Sequence, residues 1–183
     1  MLPIHYMAMG ILNPIAFAAL RMQAVSISFG SPEKENRRRL FFFALGFGIL
    51  FGTLTLTGQI PAMARWYFGT VQNLVPQDIP LAMQTLLAAC LIPVVQCLRG
   101  CVEGVAASAK RSRIILCGQA VHLATLVAML SLTLKAGVPG HLMGAAALTA
   151  AMAATGLTVF LGLRGCGIGR KRVELRECVD MGG

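Results

Sequence analysis

Residues 79–113 read IPLAMQTLLAACLIPVVQCLRGCVEGVAASAKRSR. The stretch opens with twenty uncharged residues, Ile79 to Leu98, and closes on a basic segment carrying Arg99, Glu103, Lys110, Arg111 and Arg113. A second uncharged run, Ile114 to Leu134, follows at once. As a helix, about twenty residues rise about 30 Å, the thickness of a bilayer's hydrocarbon core. Two such runs joined by a basic hinge predict a transmembrane hairpin whose connection lies in the cytoplasm.

The remainder of the chain fits around that hairpin. Its 183 residues are 56% hydrophobic and only 13% charged, with mean hydropathy +0.72. A soluble domain carries roughly 25% charged residues, so this chain has too little polar surface to cover a globule, and lipid is the expected solvent. The net charge of +9 is not a nucleic-acid footprint, because no charge falls within 40–64, 79–98, 114–134 or 136–163. The cations sit in the gaps, which is a topology signal.

Met1 to Leu20 is a further apolar run, broken by Gly10 and Pro14. Ala16-Phe17-Ala18 offers the small residues of a signal-peptide cleavage site, but no positive segment precedes it. The run therefore reads as a first span with its N-terminus outside. Arg21 to Arg39 holds five cations around a Gly30-Ser31-Pro32 turn; Ser31 before Pro32 is a good start for a short polar surface helix. Leu40 to Ala64 is the second span, in which Gly48 and Gly52 have the spacing of closely packed membrane helices. Arg65-Trp66-Tyr67-Phe68 reads as an interfacial aromatic belt. The last span, His141 to Leu163, is dense in Ala, Gly and Thr, which suits packing against protein.

The expected fold is all-α, a polytopic membrane bundle of five helices over about 1–20, 40–64, 79–98, 114–134 and 141–163. Residues 1–164 form the bundle and 165–183 a basic, disordered tail. Lys and Arg count five, four and five in the first, third and last connections, and one in each of the other two. That alternation puts the C-terminus in the cytoplasm, in a multi-pass protein of a cell membrane. The six cysteines show no CxxC pair and no metal spacing, and read as small reduced hydrophobes.

With these residues in place, the chain resembles one six-helix half of the multidrug/oligosaccharide-lipid/polysaccharide (MOP) flippase superfamily, starting at the half's second helix. Val25-Ser-Ile-Ser-Phe-Gly30 with the basic segment after it looks like the link between second and third helices. Leu98-Arg99-Gly100 followed by Lys110-Arg111-Ser112-Arg113 looks like the link between fourth and fifth. Gly137-Val138-Pro139-Gly140 looks like the turn into the sixth. The C-terminal half of the progressive-ankylosis-type transporters is the nearest in pattern. The resemblance implies a bacterial inner-membrane location, an exporter of a small organic or phosphate-containing anion or amphiphilic, lipid-linked solute, and alternating access with a second lobe. This chain lacks the half's first helix and the other half, so a homodimer, a second chain or a truncated, inactive half-transporter is implied.

No phosphate-binding loop, zinc-protease motif, nucleophile elbow or paired intramembrane carboxylate is present, so an enzyme is not expected, nor a metal or cofactor. Polar residues inside spans are the candidates, because lipid makes them costly. His122 reads either as a proton-sensitive, anion-contacting group or as a neutral imidazole bonded to a neighbouring helix. Gln84, Gln96 and Gln119 line a pathway or glue helices. Arg99 and Glu103, at i and i+4, share a face at the cytoplasmic mouth, either as a local ion pair or with Arg99 drawing an anion inward. Asn13, beside Pro14, caps the freed backbone or faces a cavity. A non-transporting scaffold remains the competing reading of the whole chain.

Overall fold

The structure, a computed structural model, describes residues 2–29 and 34–180, and the side chains of residues 4, 6–29 and 35–165. It is all-helical, with no strand among the described residues. Five helical segments are long and apolar enough to cross a membrane: Tyr6–Phe29, Glu35–Gln59, Pro76–Ser108, Ser112–Lys135 and Gly140–Gly165. Of the tail expected over 165–183, the described backbone is helical through Asp180, and residues 181–183 lie outside the described residues.

The first segment is two helices, α1 (Leu2–Leu20) and α2 (Met22–Phe29), interrupted only at Arg21. The helix therefore continues one full span-end beyond the uncharged run, and Arg21 is an exposed residue at the break rather than the start of a surface segment. The second segment is α3 (Lys34–Leu56), which starts six residues ahead of Leu40 because Arg37, Arg38 and Arg39 form its first turns. A short α4 (Pro61–Ala64) and a π-helical stretch, Arg65–Val71, follow it, and Phe68 of that stretch is fully buried.

The third segment is again two helices, α5 (Ile79–Ala89) and α6 (Ile92–Ser108). Pro93 explains the break: it has no N–H for the Ala89 carbonyl and its ring crowds that carbonyl. Gly48 and Gly52 of α3 pack against this break, as their spacing predicts. A Cβ on Gly48 would lie 2.9 Å from the Val94 Cα, and one on Gly52 would lie 3.2 Å from the Cys90 carbonyl oxygen. Only glycine lets the two backbones come this close.

α6 is the centre of the molecule. Eleven of its seventeen residues are buried, and α1, α2, α3 and α8 (Gly140–Asp180) all pack on it. Of the two glycines on α6, Gly104 makes the tighter approach, with a Cβ there lying 2.5 Å from the Ser26 Cβ and 2.7 Å from the Gln23 carbonyl oxygen of α2. α7 (Ser112–Lys135) lies outermost, packed chiefly on α8. The helix α6 runs nine residues past Arg99, about 14 Å at 1.5 Å per residue. Arg99 and Glu103 therefore do not sit at a helix end.

Candidate functional site: a polar network around α6

The residues singled out from the sequence divide around α6. On its α7 side, Arg99 and Glu103 form an i,i+4 ion pair, with the Arg99 Nε donating to Glu103 Oε1 at 2.8 Å. Their side chains are 14% and 7% exposed. Gln119 of α7 closes the figure: Arg99 Nη2 donates to its Oε1 at 3.2 Å, and its Nε2 donates to Glu103 Oε1 at 3.2 Å. The result is a triangle in which a buried cation and a buried anion each meet the other and a shared amide. A charge taken out of water needs such compensation, since an unpaired one costs several kcal/mol, roughly.

One turn further along α7, His122 Nδ1 lies 3.2 Å from Thr155 Oγ1 of α8. The Thr155 hydroxyl has a single proton, and it goes to the Ala151 carbonyl at 2.8 Å. With that proton committed, the imidazole is the donor in this contact, through Nδ1–H. His122 is thus bonded to a neighbouring helix. Ten residues into a helix of twenty-four, it stands close to mid-span.

On the other side of α6, Gln96 and Asn13 line a cavity of about 170 Å³ between α1, α6 and α8. Gln96 is 8% exposed and its Oε1 has no partner. Buried amide oxygens are nearly always bonded, so this one marks a place for a water or a polar ligand group. Asn13 faces that cavity. A second cavity, of about 280 Å³, lies against Arg99 and shares Met152 with the first. Gln84 is not brought to the site; it is exposed on α5 and makes no hydrogen bond.

Two residues were missed in the sequence. Thr155 gives no signal by itself, although it lies on the small-residue span that had to pack against protein. His141, 3% exposed at the start of α8, has no partner for either ring nitrogen. Among the described residues, no group of three or more His, Cys, Asp or Glu side chains could hold a metal. No family model, no curated protein and no solved structure matches the chain.

Proposed function

We propose that the protein is an integral membrane transporter or flippase subunit, built like one MOP lobe and working with a partner lobe. The carrying observation is the Arg99–Glu103 pair, held inside a segment long and apolar enough to span a membrane. Ionisable groups at that depth are costly, and they generally serve ion or solute passage. Arg99 borders an apolar cavity and is the cation that an anionic or amphiphilic solute would meet there. Competition for Arg99 between that solute and Glu103 would couple binding to rearrangement of α6 against α7. On this reading the basic connections face the cytoplasm of a cell membrane, the N-terminus lies outside, and a homodimer or second chain supplies the other lobe.

Labelling tests the proposal. In a background with the six cysteines replaced by serine, Gln96→Cys and Gln119→Cys should react with a membrane-impermeant anionic methanethiosulfonate in reconstituted vesicles. Gln84→Cys is the comparison outside the site. Failure of both site positions to react would remove the water-accessible pathway and with it the transport reading. One observation favours a static scaffold instead: the triangle is closed on itself, as a structural lock would be. That alternative expects no reaction at 96 or 119, and unaltered bundle assembly when His122→Ala is made.

A further inference from the structure

A groove runs along the outside of α6, between α3 and α8. Its wide end is a cavity of about 530 Å³ with apolar walls, Phe41 and Phe42 from α3, Val102 and Val105 from α6, and Phe160 from α8. Arg37, Arg38 and Arg164 rim it. The narrower continuation is the 280 Å³ cavity that passes Arg99 to Val95 and Met152, and the two share Phe41, Val102 and Phe160. Two of the rim cations are held by aromatic contacts one turn away in sequence. The Arg38 guanidinium stands 5.6 Å from the Phe42 ring centroid, and that of Arg164 stands 4.3 Å from Phe160.

What distinguishes these three arginines is that, among the described residues, no carboxylate pairs with them. Among the described residues the ion pairs are Glu35–Arg39 and Arg99–Glu103. Three like charges gathered at one cavity mouth repel one another until an anion joins them. Guanidinium groups present paired N–H donors that match phosphate oxygens. Behind the mouth, the walls are aromatic and aliphatic and lead towards mid-span, which suits a hydrocarbon chain and not a hydrated ion.

We propose that this groove binds one anionic phospholipid. The phosphate headgroup would sit among Arg37, Arg38 and Arg164, and an acyl chain would lie along Phe41, Val102 and Phe160 towards Arg99. A zwitterionic lipid would leave the cations uncompensated, and a free phosphate would leave the apolar cleft unfilled. The inference rests on the chain crossing a bilayer. It does not rest on transport, and it holds equally for a scaffold. With the proposed orientation, the site lies in the cytoplasmic leaflet, whose anionic lipids attract basic segments beside spans.

The chain's only tryptophan, Trp66, follows the opposite end of the second span from Arg37, which makes a local reporter simple. The Trp66→Phe, Phe42→Trp variant keeps an aromatic ring beside Arg38. In reconstituted bilayers, brominated phosphatidylglycerol should quench its fluorescence at lower mole fraction than brominated phosphatidylcholine. Adding Arg37→Ser, Arg38→Ser and Arg164→Ser should cut that preference by roughly tenfold or more. Equal quenching by the two lipids in the arginine-bearing reporter would overturn the proposal, whether or not the triple variant folds. So would reversal of the phosphatidylglycerol quenching by millimolar inorganic phosphate, which would make this a small-anion site. Quenching by neither lipid would also overturn it, because another helix would then be filling the groove.

Discussion

α6 and α7 follow one another in the chain, yet they live in different solvents. Eleven of seventeen residues of α6 are buried, against two of twenty-four in α7. α6 is packed on several sides by protein, while Leu116, Leu123 and Val127 of α7 are 72%, 64% and 63% exposed. The polar content follows the packing. Arg99, Glu103 and Gln96 all sit on the enclosed helix, and α7 turns Gln119 and His122, at i and i+3, towards its protein neighbours. A membrane helix can carry charge only where another helix answers it. The position that looks least hospitable to an ion pair, the centre of the bundle, is therefore where this chain keeps one.

The largest test of that contrast is Glu103→Leu. Leaving Arg99 buried without its carboxylate should cost about 3–5 kcal/mol, measured by denaturant unfolding in mixed micelles. The double variant Arg99→Met, Glu103→Leu should recover most of the loss. A single variant as stable as the wild type would show the pair to be solvated. Next comes truncation on each helix. Ile92→Ala, at a side chain 1% exposed, should cost about 2–5 kcal/mol, and Leu116→Ala less than about 0.5. Should Leu116→Ala cost as much as Ile92→Ala, a protein surface rather than lipid covers α7.

Smaller effects sharpen the same comparison at the backbone. Gly104→Ala should destabilise by about 1–3 kcal/mol, because α2 must move away from the new methyl group. Gly46→Ala, with nothing within 4 Å, should be neutral or stabilising by up to about 1 kcal/mol. The smallest effect is at the helix ends. α6 and α7 close in the same way, with Arg111 N–H to the Ala106 carbonyl and Val138 N–H to the Thr133 carbonyl. The left-handed residue is Gly137 after α7 but Lys110, at φ +56°, after α6. Lys110→Gly should therefore raise stability by about 0.5–1 kcal/mol, and Gly137→Lys should lower it similarly.

Much of the bundle is legible in the sequence, and the reason is lipid. Charge-free runs of the required length announce five helices, and Gly48 and Gly52 announce a close approach. Where each helix stops is less legible, because charge marks an end only if nothing answers it. Arg99 and Glu103 look like a hinge until Gln119, sixteen residues on and on the neighbouring helix, is seen to bond both. Arg21 looks like an exit, yet the chain resumes its helix one residue later. The i,i+4 spacing of Arg99 with Glu103, and of Arg38 and Arg164 with their aromatic rings, can be read directly. What those side chains surround cannot, because the groove between α3 and α8 joins Phe41 and Phe42 to Phe160, more than a hundred residues along the chain.

The measurement closest to the central claim is sidedness. In membrane vesicles, cysteines placed singly at Arg37 and Ala109 in the serine background should react with an impermeant maleimide from one face. Those placed at Val75 and Ala136 should react only from the other. This alternation is what five lipid-crossing helices around α6 require. Labelling of all four from a single face, or release of the protein from membranes without detergent, would contradict it.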